Sequence, residues 1–184
     1  VQELACFKQV LILGEGDGRF LAEFLVANPN ARVTVVDVSA GMREQAWHRV
    51  QHIPDVQKRV TWQLGDARRL MFPSQSYDLI VTNFFLDCFT ANELERLVTR
   101  LVPTLTENGY WLVGDFALPQ NRFARPLANQ ALLGMYLFFN VVTRISARQL
   151  VDPAPALKTH GFKLIKERKR LKGFLVSSLW KGTG

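Results

Sequence analysis

Two cysteines, three histidines and no apolar run long enough to cross a bilayer are what this 184-residue sequence is short of. Cys6 and Cys88 stand in apolar surroundings, which excludes a disulfide-framed secreted scaffold and a four-cysteine zinc module. A reduced, cytoplasmic protein is expected. The longest apolar stretch, residues 131–142, is interrupted by Gly134 and Asn140, and it covers only about a dozen residues where a spanning helix needs about twenty. Repeats, low-complexity tracts and Gly/Ser-rich linkers are also missing, so residues 1–184 are read as a single domain. The sequence opens at Val1, and the lack of a leader there carries no weight. What is present suits a closed core: 48% of residues are hydrophobic and 21% charged. The formal charge of +7 is unevenly spread, because residues 163–172, KLIKERKRLK, hold six basic side chains and one acid. The body of the chain is nearly neutral.

The hydrophobic period alternates between strand and helix. Short β-branched or apolar runs at residues 10–13, 33–37, 60–64, 77–82 and 110–115 predict five strands. Between them, residues 18–27, a helix capped by Ser39 and reaching about Gln51, and residues 91–102 carry apolar side chains at helical spacing. Strands separated by helices imply a parallel α/β sheet. The last 24 residues behave differently, with a run over 161–170, a break at 172–173 and an alternating run over 174–180, which predicts an antiparallel hairpin on one edge. The 45 or so residues before it are too many for a structureless loop. They are expected to hold two helices, near residues 126–139 and 146–159.

At the first strand–helix junction, VLILGEGDGRF places Gly14, Gly16 and Gly18 as G-x-G-x-G. Glycine there lets the backbone turn sharply and approach a ligand. A dinucleotide fingerprint would have its third glycine one residue later, where Arg19 stands. Asp37 ends the second strand, where a carboxylate can accept two hydrogen bonds from a ribose diol, and Asp66 ends the third, placed to receive an adenine amino hydrogen. A nicotinamide fold asks for no such second acid.

The successive segments VLILGEGDGRF, VTVVDVSAGM, WQLGDARRL, YDLIVTNFFLDCF and ENGYWLVGDF resemble the motifs of class I S-adenosylmethionine-dependent methyltransferases over about residues 9–116, and the closing hairpin extends the resemblance to Trp180. The resemblance implies a Rossmann-like, doubly wound, seven-stranded sheet, mostly parallel, whose sixth and seventh strands form an antiparallel edge. It implies S-adenosyl-L-methionine as cofactor and S-adenosyl-L-homocysteine as product. By carry-over, Gly14, Glu15, Gly16, Asp17 and Gly18 flank the methionine part, Asp37 and Val38 hold the ribose, Asp66 and Ala67 contact the adenine, and Thr82, Asn83 and Phe84 line the strand-four side. Met42 packs on the adenine in the same scheme, although a helical methionine also suits a core. One departure stands out: Ile12 occupies the position two before the first glycine, where the family pattern has an acid that orients the ligand's ammonium. Glu15 or Asp17 is expected to replace it, and Asp17 has a competing role as cap of the first helix.

A sulfonium methyl is already electrophilic, so the protein's task is to align an acceptor and exclude water. Candidate bases are Asp87, which also reads as a helix cap, and Asp115, both at the carboxyl edge of the sheet where open α/β folds bind ligands. Residues 116–146 are expected to form a substrate-pocket insertion, with Tyr136 as a catalytic candidate; its aromatic density favours a small, lipophilic or aromatic acceptor, although a buried core helix would show the same density. This layout is loosely similar to ubiquinone/menaquinone-biosynthesis methyltransferases. His48 and His52 lie four apart on one helix without a third ligand, so no metal is expected, and His160 reads as a helix terminus. The basic run prompts an RNA or DNA methyltransferase as the alternative, but no flanking aromatics and no NPPY-like motif after strand four accompany it. No stable nucleic-acid partner is expected, and a solvated edge or one in peripheral contact with an anionic membrane surface fits the run better. A non-catalytic cofactor-binding module is the remaining alternative, and the sequence says nothing of oligomeric state.

Overall fold

The computed structural model describes residues 6–116, 151–171 and 175–183. Seven strands form one sheet in the order β3-β2-β1-β4-β5-β7-β6. They are β1 (Gln9–Leu13), β2 (Arg32–Asp37), β3 (Val60–Leu64), β4 (Tyr77–Asn83), β5 (Leu105–Phe116), β6 (Phe162–Arg170) and β7 (Leu175–Gly182). The first five pair in parallel, and β7 runs antiparallel to both of its neighbours. The expected seven-stranded sheet with a reversed edge is therefore the observed one, with β7 inserted between β5 and β6.

The helices are α1 (Arg19–Ala27), α2 (Ala40–Val50), α3 (Val56–Arg59), α4 (Ala91–Leu101) and α5 (Ala154–Thr159). Ser39 caps α2 as its sequence position predicts, accepting from the Met42 amide at 3.2 Å. Thr90 and Glu93 close a reciprocal capping box on α4, so the cap of this helix is Thr90 and not Asp87. Parallel strands buried on both faces need two apolar layers. One packs Leu21, Phe24, Leu25 and Val50 against Val10, Ile12, Val33 and Leu79. The other packs Leu94, Leu97, Val98 and Leu101 against Leu11, Leu13, Ile80 and Trp111. The Trp111 indole donates to Thr82 Oγ1 at 3.0 Å inside this second layer.

Three elements depart from the sequence reading. The strand expected over 110–115 begins at Leu105, because the Asn108-Gly109 pair makes an irregularity inside β5: Tyr77 pairs with Leu105 and Leu79 with Tyr110. Asn108 sits at φ 58°, a conformation asparagine tolerates. Helix α3 was not expected at all; its Arg59 guanidinium donates to the carbonyls of Leu25, Asn28 and Ala31, tying the end of α1 to the start of β2. The helix expected over 146–159 is α5, starting at Ala154 after Pro153; residues 151–153 are not helical and 146–150 lie outside the described residues. The helix expected over 126–139 and the break at 172–173 also lie outside them.

Candidate functional site

The carboxyl ends of β1, β2, β3, β4 and β5 bring most of the sequence-selected residues to one edge of the sheet. Gly14, Gly16 and Gly18 all have positive φ, at 69°, 70° and 85°, a region that penalises any side chain. Their surroundings differ. A Cβ on Gly14 would lie 2.5 Å from the Phe85 ring, and one on Gly18 would lie 2.7 Å from Ala46 Cα. A Cβ on Gly16 would meet nothing within 4 Å. Gly18 is thus the contact between α1 and α2, Gly14 is covered by an aromatic ring, and Gly16 faces open space.

Asp37 holds this turn. Its Oδ2 accepts from the Gly16 amide at 3.3 Å and its Oδ1 from the Ser39 amide at 2.8 Å, so the carboxylate bridges the ends of β1 and β2. Val38 beside it is exposed and Met42 half-buried. Glu15 reaches the first turn of α1, where Oε1 accepts from the Leu21 amide at 2.8 Å. Burial pushes the Glu15 carboxyl up to about 8, assisted by the charges of Asp17 and Asp37 and opposed by the Leu21 and Phe20 amides. Asp17 pairs with Arg19 at 2.9 Å and Arg49 at 3.0 Å and makes no cap; the residue before α1 is Gly18, without a side-chain cap. The helix-capping role expected of Asp17 falls to Glu15. Ile12, 1% exposed, belongs to the core.

At the end of β3, Asp66 is clasped by Arg68, whose side chain donates to both oxygens and whose amide donates to Oδ1. The guanidinium holds the Asp66 carboxyl below its ordinary range, against the opposing effect of burial. Arg68 also pairs with Glu93 at 3.0 Å and lies 5.7 Å from the Phe89 ring centre. Ala67 is buried beside them. Sequence reasoning missed Arg68; its signal was the i, i+2 spacing in GDAR, which lets an arginine fold back onto the aspartate.

The end of β4 divides into two parts. Thr82 is fully buried and spent on Trp111, whereas Asn83 and Phe84 lie at the rim. Phe84 adopts φ 53° and its amide donates to the Gly114 carbonyl at 2.5 Å. Phe85, also missed from the sequence, carries the ring that covers Gly14. A single turn of 3-10 helix, Leu86–Cys88, then buries Asp87, which is 4% exposed. Asp115, 7% exposed, sits opposite on β5.

Burial raises both carboxyls. Asp115 is pushed up to about 9, first by desolvation and next by the Asp87 charge, while the Phe85 and Phe84 amides on its side offset part of this. Neither Asp115 oxygen completes a hydrogen bond among the described residues. Asp87 is raised by desolvation, against a hydrogen bond from the Cys88 thiol at 3.6 Å. The thiol itself is pushed up by burial and by the Asp87 charge, so it stays protonated and unreactive. Tyr136 and residues 117–146 of the expected pocket lie outside the described residues. Among the described residues no cluster of three or more His, Cys, Asp or Glu is placed to hold a metal ion. No described helix is long and apolar enough to cross a membrane.

Comparison with known proteins matches residues 10–109 to a family described as a methyltransferase domain. A demethylmenaquinone methyltransferase of Symbiobacterium thermophilum is 30% identical over 112 residues, 61% of this chain and 43% of that protein. Among solved structures, an O-methyltransferase family protein from Burkholderia thailandensis superposes with a TM-score of 0.73 at 18% identity, over 98% of this chain and 52% of the other. The N-methyltransferase NodS of Bradyrhizobium japonicum, solved with S-adenosyl-L-homocysteine, gives 0.70 at 14% identity over 99% and 83%. The chain spans less than half of the Symbiobacterium protein and about half of the Burkholderia one. At these identities the two structures establish the fold.

Proposed function

The chain belongs to the methyltransferase domain family of class I S-adenosyl-L-methionine-dependent enzymes, and from that membership we propose that it methylates a small, lipophilic or aromatic acceptor. When bound, S-adenosyl-L-methionine supplies a methyl group made electrophilic by its sulfonium. The observation that carries the reading is the open space over Gly16, next to a carboxylate already fixed by the Gly16 and Ser39 amides. Open room over a glycine backbone, beside an oriented acceptor of hydrogen bonds, suits the ribose and methionine portions of the cofactor. Gly16 then forms the floor with Gly14 and Gly18 shaping the turn around it, Asp37 and Val38 the ribose side, Asp66, Ala67 and Met42 the adenine side, and Asn83 and Phe84 the rim of β4. Thr82 acts from behind, by fixing Trp111 under that rim. Glu15 takes the ammonium: Asp17 is held by two arginines, while Glu15 has no cationic partner among the described residues.

Asp87 and Asp115 border the acceptor side, and Tyr136 with residues 116–146 completes the pocket within the single domain. The Symbiobacterium relative's name supports a quinol among the acceptors to be screened. Calorimetric titration with S-adenosyl-L-methionine and S-adenosyl-L-homocysteine is the test, and a folded protein that binds neither refutes the proposal. On the far edge, β6 is exposed from Lys163 to Arg170 and shows Leu164 and Ile165 among its basic residues. We assign this edge to peripheral contact with an anionic membrane surface, and the unpaired Cys6 and Cys88 fit a cytoplasmic setting. Co-sedimentation with phosphatidylserine vesicles tests the edge; binding to RNA instead would favour a nucleic-acid substrate.

A further inference from the structure

Arg68 stands between the end of β3 and helix α4, and every nitrogen of its guanidinium is engaged. Nε donates to both Asp66 oxygens at 3.0 Å, and Nη2 donates to Oδ2 at 2.8 Å. The Arg68 amide adds a third donor, to Oδ1 at 2.9 Å. Nη1 turns the other way and donates to Glu93 Oε1 at 3.0 Å. Glu93 is itself fixed, because its Oε2 accepts from the Thr90 amide and hydroxyl. Arg100, further along α4, donates to the carbonyls of Arg68 and Leu70, so one helix holds this arginine by its side chain and by its main chain. Its guanidinium lies over the Phe89 ring at 5.7 Å, and that ring packs edge-on at 5.1 Å against Phe85, which covers Gly14. Exposed ion pairs contribute little to stability. Stability is thus a weak reason for holding a half-exposed arginine at so many points, whereas the aim of one carboxylate is a direct product of it.

Resting on the methyltransferase reading above and its adenine side, we propose that Arg68 is a positioning residue for base selectivity: it aims Asp66 so that the carboxylate accepts one amino hydrogen and rejects an oxo group. A carboxylate offers about four acceptor positions. The three donors of Arg68 take most of them and leave room for about one more hydrogen, at a place the fork defines. Asp66 is only half-buried, so that place is reachable, and buried Ala67 follows it in the chain. The 6-amino group of adenine is a neutral donor. It needs an acceptor and no free counter-charge, so pairing with arginine does not disqualify Asp66. A base with oxygen at that position would set its lone pairs against an acceptor-only group, leaving both unpaired. The fork matters as geometry: a lysine would supply the charge without the parallel bonds that fix the carboxylate plane.

Calorimetric titration of the full chain with S-adenosyl-L-homocysteine and with S-inosyl-L-homocysteine, whose base carries oxygen in place of the amino group, reads the selectivity without turnover. The wild type is expected to prefer the adenosyl compound at least about tenfold. Arg68→Ala frees the Asp66 carboxylate to rotate and should narrow that preference by about two- to tenfold. The loss should fall on the adenosyl compound and spare the inosyl one, which a merely structural weakening of the site would not do. Arg68→Lys keeps the charge and should leave the preference narrowed. If the alanine variant fails to fold, the lysine variant carries the test. Equal losses on both compounds, an unchanged preference, tighter adenosyl binding in Arg68→Ala, or full restoration by lysine overturns the proposal. A wild type that binds both compounds equally overturns it as well. Failure of the wild type to bind either compound would instead remove the methyltransferase reading beneath it.

Discussion

Replacing Gly16 and Gly18 singly by alanine separates ligand space from packing space. The two glycines have similar backbone conformations, with φ of 70° and 85°, so each alanine incurs the same left-handed penalty of about 1–2 kcal/mol. At Gly16 nothing lies within 4 Å of the new methyl, and the penalty is the whole expected loss. At Gly18 the methyl would sit 2.7 Å from Ala46 Cα and 2.9 Å from its Cβ. That neighbour is helix backbone and cannot rotate aside, so overpacking adds about 1–3 kcal/mol. Gly18→Ala should therefore lose about 2–5 kcal/mol in urea unfolding, against about 1–2 for Gly16→Ala. Cofactor affinity should order the other way among the folded molecules. The Gly16→Ala methyl enters the proposed cofactor space and should weaken S-adenosyl-L-homocysteine binding at least about tenfold, or about 1.4 kcal/mol. Equal stability losses, or wild-type affinity in Gly16→Ala, would refute the assignment of open space at Gly16 to the ligand.

Asp37→Ala removes a charged acceptor from the proposed ribose and should weaken binding by about 1.5–3 kcal/mol; calorimetry showing unchanged affinity rejects that role. Glu15 is raised from 4.5 to about 8 in the folded state, so the folded protein holds the extra proton between those values and stability falls as pH rises through them, by up to about 1.4 kcal/mol per pH unit. Glu15→Gln should remove that part of the slope in unfolding experiments across the window, leaving the part due to Asp87 and Asp115; an unaltered slope contradicts the assignment. Trp111→Phe deletes the donor to buried Thr82 and should cost about 1–3 kcal/mol. Adding Thr82→Val should recover part of it, and strictly additive losses would show that the two side chains do not interact.

Strand positions were legible because alternating β-branched and apolar runs leave few other options: β3 is Val60–Leu64 in both readings. The same holds for capping, where Ser39 stands in front of a helical period and caps it. What sequence periodicity does not carry is competition among acids for partners. Asp17 and Asp66 look equivalent to Asp37 in a string of letters, yet each is held by an arginine, one 32 residues away and one only two. Asp87 illustrates the reverse. It also read as a helix cap, and the cap fell to Thr90 because a threonine with glutamate three residues on satisfies two amides at once. The β5 start was hidden for a backbone reason, since Asn108-Gly109 reads as a turn and serves as an irregularity inside a strand.

The distribution of charge gains a meaning that the net value of +7 conceals. Glu15, Asp17, Asp37, Asp66, Asp87 and Asp115 all fall at the carboxyl ends of β1, β2, β3, β4 and β5, while the basic excess lies on β6 at the far edge. Arginines neutralise Asp17 and Asp66, and burial keeps protons on Glu15 and Asp115. The edge is therefore less negative at rest than its composition suggests, and its acids can ionise in response to a cation. The proposed cofactor brings two positive groups, a sulfonium and an ammonium, and the sulfonium is lost on methyl transfer. In the electrostatic contribution, then, the acidic edge favours the entering cofactor over the departing product. Ile12 fits this arrangement: with 1% exposure in an apolar layer it leaves the core intact, and in the proposed scheme Glu15 supplies the negative charge, from a carboxyl that burial raises to about 8.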